Sequence, residues 1–388
     1  MEPTPIDSPR AGFVGWWNRT PLYARIIGGM VLGVAVGLLL GPKAEALAIP
    51  SKLVLRLLGA LAPALILMAI VQALMTAKFA KGTAGRLIRL LLLNTLVAIA
   101  IGLLVANVIR PGHWSSVPAA PQDPAHATKP RADILQQFLE NVPQSLFGPL
   151  ADNGKVIGVI LIAVALGLAL RQLAATRSVA PVPDLVDIAM AVFVRMLHWI
   201  VAVLPLAVFG IVASLIGTKG FAAFQALGGF VIAVLCALLL QAIYYLARVR
   251  FGSWVRPGDL LRGTRDALVM AFSTGSSTAT MPVTYECLRE RVGVREKSAS
   301  LGALVGANFN NDGTALYEAM SALFVSQILT HSGVGAPLDL GQQLLVVLTS
   351  VIASVGAAGI PEAGLVTMTL VFSAVNLPLE YIAILLPV

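Results

Sequence analysis

The sequence predicts an all-α polytopic membrane protein. Of its 388 residues, 57% are hydrophobic and only 12% are charged, about half the charged fraction of soluble domains. Long apolar segments recur along the chain, and most approach the roughly 20 residues that a helix needs to cross a bilayer. Apolar and polar residues do not alternate with a period of two, so a β-barrel is not expected.

Six apolar segments are predicted as membrane helices, because a helix satisfies all its backbone hydrogen bonds within one segment in lipid. They are residues 22–40, 53–75, 87–109, 156–170, 185–216 and 224–247. The first twenty residues are polar and proline-rich, and the segment after them is longer than the apolar core of a signal peptide. We therefore expect this segment to be retained as the first span.

The basic residues predict the orientation. If residues 1–21 are cytoplasmic and the spans alternate, the larger share of the Lys and Arg residues lies on the cytoplasmic side, as the positive-inside rule requires. The net charge of +8 is then a feature of membrane topology, and no nucleic acid partner is expected. We expect a multi-pass protein of the cell (inner or plasma) membrane. Residues 111–133 are rich in proline and polar residues, which is typical of an exposed extracellular loop.

Small polar residues interrupt the apolar segments of the second half. The interruptions are "STGSSTATMP" (273–282), "NFNNDGT" (308–314) and "SVGAAGIPEAG" (354–364). In the first and third, an apolar arm leads into a Ser- or Gly-rich tip, and a proline and a second arm follow. This layout predicts two re-entrant helical hairpins. Irregular backbone at membrane depth is stable only in protein or beside a wet cavity, so the pattern points to a transport site near the midplane.

Asp312 lies inside an apolar segment, where a carboxylate costs at least about 2.5 kcal/mol. We favour a cation site, because Asn310 and Gly313 flank the acid and supply an oxygen ligand and an unwound backbone. A salt bridge with Arg195, in "FVRMLHW", is the alternative. Glu318 either couples a proton or cation, or pairs with a loop arginine. The free N–H groups at the hairpin tips suit an anion.

Two other polar groups have a simpler interpretation beside the functional one. The serines and threonines of 273–280 are interpreted as a ligand loop, with helix packing as the alternative. Asn94 and Thr95 lie mid-span in "LLLLNTLVAIA", where an interhelical hydrogen bond would explain them.

The stretches "AFSTGSSTATMPVTYECL", "GANFNNDGTALYEA" and "VIASVGAAGIPEAGLVTMTLV" resemble the signatures of the dicarboxylate/amino acid:cation symporters, the sodium:dicarboxylate family that includes glutamate transporters. The resemblance implies a glutamate-transporter-like fold with eight transmembrane helices, two re-entrant helical hairpins, a homotrimer and an elevator mechanism.

The resemblance also implies a division of the chain. The scaffold would comprise helices 1 and 2 (22–76) and helices 4 and 5 (154–217). The transport domain would comprise helix 3 (86–110) and a core over 223–388. That core would hold helix 6, hairpin 1 (about 257–291), helix 7 (about 298–329), hairpin 2 (about 341–374) and the start of helix 8.

Carried over position by position, the resemblance implies a substrate site and sodium sites. The substrate-binding positions would be Ser276, Ser277, Thr278, Thr314, Ile360 and Gly364. The sodium positions would be Asn94, Thr95, Gly306, Asn308, Asn310, Asp312, Ser354, Val355 and Ala357. Glu318 matches the position linked to proton coupling, so H⁺ is a second candidate coupling ion beside Na⁺.

The sequence departs from the family pattern at several places. Asn311 stands where the family usually has methionine, Leu92 where many relatives have tyrosine, and Gly275 where archaeal relatives have arginine. The chain ends at Val388, so the eighth helix is expected to be incomplete, without its substrate-selecting residues.

The function predicted is sodium-coupled symport of an acidic amino acid or dicarboxylate, such as glutamate, aspartate or a C4-dicarboxylate, and not an enzymatic activity. The alternatives are a truncated non-transporting subunit, a symporter for neutral amino acids, and a passive anion channel. An intramembrane protease would need two aspartates or a serine–histidine pair. Asp312 is the only aspartate away from the ends of an apolar segment, since Asp187 lies near the start of the segment 185–216, and His198 is the only histidine in the predicted spans.

Overall fold

The structure is a computed structural model. It describes residues 20, 22–76, 83–114, 142–151, 156–174, 176, 181–220, 222–356, 363–386 and 388. These residues form helices, turns and short connections, and no β-strand occurs among them. The predicted all-α fold class is confirmed.

The first part of the chain forms seven α-helices in its described residues. They are α1 (Leu22–Leu40), α2 (Ile49–Thr76), α3 (Thr83–Ile109), α4 (Val156–Leu173), α5 (Pro181–Ala202), α6 (Leu204–Lys219) and α7 (Ala222–Gly252). Short 3₁₀ helices lie at Gly41–Ala48, Pro111–Trp114 and Gly148–Ala151.

The second part contains shorter and interrupted helices. They are α8 (Pro257–Gly263), α9 (Arg265–Thr274), α10 (Ser277–Glu286), α11 (Glu296–Phe309), α12 (Asp312–His331), α13 (Leu340–Gly356), α14 (Ala363–Ala374) and α15 (Ile382–Leu385). A π-helical turn, Cys287–Arg291, continues α10, and a 3₁₀ turn, Leu379–Tyr381, precedes α15.

Four stretches of the described residues are long and apolar enough to cross a membrane. They are Ala24–Gln72, which covers most of α1 and α2, and Gly85–Trp114, Pro181–Ala202 and Leu227–Gly252. Shorter apolar helices occur at Gly158–Leu173, Leu204–Thr218, Leu340–Ser354 and Gly364–Ala374. The prediction of several membrane-spanning helices agrees with this pattern.

The segment predicted as one helix over 185–216 is two helices in the structure. Helix α5 ends at Ala202 and α6 begins at Leu204, with Pro205 in its first turn. Proline has no N–H to donate to the preceding turn, so it is tolerated at the start of a helix and not in its interior. The range 154–217, predicted to hold two helices, therefore holds parts of three.

Helices α1 and α6 pack with their backbones in close approach. A Cβ atom on Gly29, Gly33 or Gly37 would lie 2.6, 2.7 or 2.6 Å from a carbonyl oxygen of α6. These glycines recur every four residues and so lie on one face of α1. Small residues at this spacing are typical of tightly packed helices in membranes.

The remaining helices pack in two groups. Helix α2 contacts α4 and α5, whereas α3 packs on α12 and α7. The second group is held by apolar side chains, including Phe230 of α7 stacked on Phe324 of α12 with ring centroids 4.5 Å apart. This second group therefore brings together α3, α7 and α12, each of which carries polar side chains.

Two helical hairpins occur where the sequence predicts them. Helices α9 and α10 are joined at Gly275, whose φ of 58° lies in the left-handed region that glycine adopts without strain. Helices α13 and α14 form the second hairpin and pack against each other and against α12. Residues 357–362, at its tip, lie outside the described residues.

Candidate functional site

The centre of the candidate site is the break between α11 and α12. Asn310 and Asn311 have non-helical backbone, with ψ angles of 63° and 55°, and α12 begins at Asp312. The predicted unwinding at "NNDGT" therefore occurs at these two residues. A carboxylate in the first turn of a helix is stabilised by the partial positive charge of the N-terminus.

Three donors from different elements bind the carboxylate of Asp312, which is only 3% exposed. The hydroxyl of Thr95, on α3, donates to Oδ1 at 2.7 Å. The hydroxyl of Tyr245, on α7, and the amide of Asn310 donate to Oδ2, the latter at 3.1 Å. Asp312 thus links the break to α3 and α7. The alternative partner Arg195 is exposed on α5 and is not among these donors.

The Asp312 centre also contains an oxygen without a donor. Oδ1 of Asn310 is buried and accepts no hydrogen bond from the described residues, although the Nδ2 atom of the same amide donates to Asp312. A carboxylate, an amide oxygen and two hydroxyl oxygens are the ligand types that hard cations prefer. These residues fit a small cation.

Asn94 precedes Thr95 on α3 but has a different partner. Its Oδ1 accepts a hydrogen bond from the guanidinium of Arg248 on α7. Arg248 also lies over the ring of Tyr244, 5.6 Å from its centroid, and donates weakly to the Tyr244 hydroxyl at 3.4 Å. The predicted span 224–247 ends one residue before Arg248. The structure instead places it within α7, with its side chain partly buried.

Asn311 connects the break to the second hairpin. Its Nδ2 donates to the carbonyl oxygen of Ser354, near the end of α13, at 3.0 Å. Ser354 is one of the positions predicted to bind sodium through its backbone. The departure from methionine at position 311 therefore adds a hydrogen-bond donor to one of the predicted ligands.

The tip of the first hairpin is organised by its own polar side chains. The hydroxyl of Ser276 caps α10 by accepting from the backbone N–H of Ala279 at 3.2 Å. Thr280 donates to the carbonyl of Ser276 at 2.8 Å. Ser276 and Thr280 are buried, whereas Ser277 and Thr278 are exposed at the start of α10. The latter two have side chains free to face a ligand.

The other predicted positions are distributed over the break and the second hairpin. The carbonyl of Gly306 accepts from the backbone N–H of Asn310 at 3.1 Å and so closes α11. A Cβ atom on Gly364 would lie 3.5 Å from Cγ2 of Thr314, so these two positions adjoin. Ile360 and Ala357 lie outside the described residues, as do the side chains of Asn308 and Val355.

Glu318 is a second buried carboxyl group on α12, and its side chain is completely inaccessible. Its Oε1 accepts a hydrogen bond from the hydroxyl of Thr367 on α14. Its Oε2 has no hydrogen-bond partner among the described residues. The alternative of a loop arginine as its partner does not fit this environment, because the residue that binds it is a threonine of the second hairpin.

Residues 22–388 match the sodium:dicarboxylate symporter family. The chain belongs to this family. A Caenorhabditis elegans protein named as a sodium-dependent excitatory amino acid transporter is 28% identical over 93% of this chain and 83% of its own length. Human excitatory amino acid transporter 2 is 32% identical over 69% of this chain, and human excitatory amino acid transporter 5 is 40% identical over 42% of it.

The two human alignments cover 47% and 28% of those proteins, so the chain spans less than half the length of either human relative. The predicted resemblance to the symporter family is confirmed. The family and these relatives are transporters, and the chain is a multi-pass membrane protein of this type. The intramembrane-protease alternative is not favoured.

Two residues that contact the predicted site were not predicted from the sequence, Tyr245 and Arg248. Gln241, Tyr245 and Arg248 are spaced by four and three residues in the otherwise apolar α7, which places their side chains on one helix face. Gln241 is 4% exposed. A polar stripe along a membrane helix indicates that this face is turned towards protein, so the signal was present in the sequence.

Proposed function

We propose that this chain is a secondary active transporter, a symporter that couples sodium to an acidic amino acid or dicarboxylate. The observation that carries the proposal is the Asp312 centre at a break in a membrane helix, in a chain of the sodium:dicarboxylate symporter family. Many transporters form their substrate and ion sites at discontinuous membrane helices near the bilayer midplane, and at this break a carboxylate and an amide oxygen are available as cation ligands.

Sodium would bind at Asp312 with oxygen atoms from Thr95 and Asn310. The support is the buried Oδ1 of Asn310, which lacks a donor, beside a negatively charged carboxylate. Asn94 borders this position on α3. The backbone at Gly306 and Asn308, and that of Ser354, Val355 and Ala357, would contribute to further sodium positions as the family resemblance implies.

The anionic substrate would bind between the two hairpins and α12. Ser277 and Thr278 are exposed at the N-terminus of α10, where backbone N–H groups and the helix dipole favour a carboxylate. Ser276 holds this terminus in shape by capping it. Thr314, with Gly364 beside it, would contact the other end of the substrate, and Ile360 would cover it.

Glu318 would carry a coupled proton. Burial of a charged carboxylate is costly unless hydrogen bonds compensate for it. In the part of the chain that the structure describes, Glu318 has one donor, Thr367, and one oxygen without a hydrogen-bond partner. A proton on the unpaired oxygen removes the charge. The contact with Thr367 would make this step sensitive to the position of the second hairpin.

The two packing groups support an elevator-type homotrimer. The helices α1, α2 and α4 to α6 would form the trimer scaffold, and the group built on α3, α7 and α12 would move with the hairpins. Close backbone packing of α1 on α6 gives a rigid scaffold. We also propose that the N-terminus faces the cytoplasm, in the inner or plasma membrane, because of the distribution of basic residues.

Uptake of radiolabelled aspartate into vesicles containing the 388-residue chain tests the proposal. We expect uptake that requires an inward sodium gradient and that is lost in Asp312→Asn. Asp259→Asn, an identical change at an exposed position of α8, serves as the matched control and should retain uptake. Uptake independent of sodium would contradict sodium coupling and leave proton coupling or a passive anion pathway. No uptake by intact trimers would contradict transport of aspartate by this chain.

A further inference from the structure

Arg248 is a charged side chain held inside the helical group that forms the Asp312 centre. Its guanidinium donates to Oδ1 of Asn94 and lies over the ring of Tyr244, which precedes it by one helical turn. Both contacts are made at the partly buried surface between α7 and α3. The side chain is therefore fixed in a defined position rather than extended into solvent.

Among the residues that the structure describes, no carboxylate forms an ion pair with Arg248. The ion pair found in the described part of the chain joins Arg291 to Asp266, with 2.6 Å between the charged atoms, and does not involve Arg248. An amide oxygen and an aromatic ring stabilise a guanidinium but leave its charge in place. The positive charge of Arg248 therefore raises the electrostatic potential at neighbouring positions.

The nearest functional surroundings are the ligands of the candidate cation site. Asn94 is the chain neighbour of Thr95, and Arg248 lies one helical turn beyond Tyr245; Thr95 and Tyr245 both donate to Asp312. Thr95 and Tyr245 are linked through Asp312, and Asn94 contacts Arg248 directly, so both links connect α3 and α7 at adjacent positions. Thr95 and Tyr245 bind the Asp312 carboxylate, and the contact of Asn94 with Arg248 places a guanidinium at the neighbouring position.

We propose that Arg248 is an internal cation that occupies the Asn94 end of the candidate site in place of a diffusible one. Its N–H group uses the amide oxygen of Asn94, and its charge repels a second cation there. The Asp312 end, with the unpaired oxygen of Asn310, remains for sodium. This inference rests on the proposed sodium coupling and adds that Arg248 sets how many cations bind and how tightly.

The inference predicts that sodium binding becomes tighter when the charge of Arg248 is removed. In Arg248→Gln, the amide oxygen of Asn94 becomes available as a ligand and the repulsion disappears. We expect the sodium concentration for half-maximal binding to fall by about tenfold, because a positive charge that repels the ion across a partly buried environment is lost. We also expect a steeper sodium dependence, because a further ion can enter.

The measurement is the melting temperature of the detergent-purified 388-residue chain as a function of sodium chloride, with choline chloride keeping the ionic strength constant. Arg250→Gln is the matched control, because Arg250 lies two residues away on the same helix and is exposed. Arg248→Lys keeps the charge and should stay within about twofold of wild type. Adding Asn94→Ala to Arg248→Gln should cancel the gain, since the new ligand is then missing.

The inference is overturned if folded Arg248→Gln binds sodium as wild type does, or if Arg250→Gln gives the same gain. If Arg248→Gln does not fold, Arg248→Lys tests the inference. Sodium binding that is tenfold tighter in Arg248→Lys, which retains the positive charge, would contradict the role of that charge. If the melting temperature of wild type does not change with sodium, a sodium-dependent melting temperature in Arg248→Gln supports the inference. A melting temperature of Arg248→Gln that also does not change with sodium refutes it.

This experiment uses no substrate, so its outcome is separate from that of the aspartate uptake assay. A failed uptake assay together with the predicted sodium titrations would reject the proposed substrate and keep the role of Arg248. Normal sodium-driven uptake, with Arg248→Gln titrating as wild type does, would reject the role of Arg248 alone.

Discussion

Helix α12 carries two buried carboxyl groups, six residues apart, in different surroundings. Asp312, in the first turn, accepts hydrogen bonds from three donors on α3, α7 and the preceding break. Glu318, in the middle of the helix, accepts from Thr367 on α14, and its other oxygen has no hydrogen-bond partner within the described part of the chain. The same chemical group is thus surrounded by donors at one position and left short of them at the other.

The difference separates two ways of stabilising a buried acid. At Asp312, donors and the helix N-terminus stabilise a charged carboxylate, and a cation can replace some of those donors. At Glu318, the shortage of donors favours removing the charge, which a proton does. The first position connects α12 to α3 and α7, and the second connects it to the second hairpin. Ion and proton binding would then act on different parts of the transport domain.

The largest effect is expected from Asp312→Ala, which removes the acceptor of three donors. A buried donor left without a partner costs about 1–3 kcal/mol, so the sodium-free protein should lose several kcal/mol of stability together with its response to sodium. The melting temperature with and without sodium measures both effects. Asp259→Ala, at an exposed position, should leave both unchanged. A sodium response preserved in Asp312→Ala would move the cation site elsewhere.

Tyr245→Phe should have the next largest effect. It removes one donor from the Asp312 carboxylate while the ring remains, and a hydrogen bond to a charged group contributes about 1.5–3 kcal/mol. Because sodium can satisfy the carboxylate in its place, we expect the loss to be larger without sodium than with it. Tyr244→Phe is the control on the same helix, since its hydroxyl takes part only in a weak contact of 3.4 Å. Equal losses with and without sodium would show that Tyr245 does not share its acceptor with the ion.

Tyr245 illustrates the kind of contact, between residues far apart in the chain, that was not predicted from the sequence. The apolar segments, both hairpins and the break at Asn310 could be predicted, because each depends on residues that are close in the chain. The contact of Thr95 with Asp312 joins residues 217 positions apart, and the family signatures rather than the physics of one segment pointed to it. The polar residues of α7 recur at the spacing of a helix face, so this face could be recognised in the sequence. The spacing does not tell which helix the face contacts. Arg248, one residue beyond the predicted span 224–247, was therefore not recognised as a contact of Asn94.

Thr367→Val should have a smaller effect, confined to the Glu318 side of the comparison. The change keeps the shape of the side chain and removes the hydroxyl that donates to Glu318, and a buried acceptor left without its donor should cost about 1–3 kcal/mol. The sodium titration of the melting temperature should keep its midpoint, because the Asp312 centre is not touched. Thr369→Val, in the same helix and also buried, is the control for the loss of a threonine hydroxyl. A shifted sodium midpoint in Thr367→Val alone would show that the two carboxyl groups are coupled through α12.

The smallest change in stability is expected from Glu318→Gln, and it isolates the function of this position. The amide oxygen of glutamine can still accept from Thr367, and the buried group no longer bears a charge, so folding stability should change by less than about 1 kcal/mol. A proton can no longer bind or leave at residue 318. Sodium-driven substrate uptake should therefore proceed without acidification of the vesicle lumen, which an entrapped pH-sensitive dye reports. Acidification that equals wild type at the same uptake rate would place the proton elsewhere and leave Glu318 as a packing residue of the second hairpin.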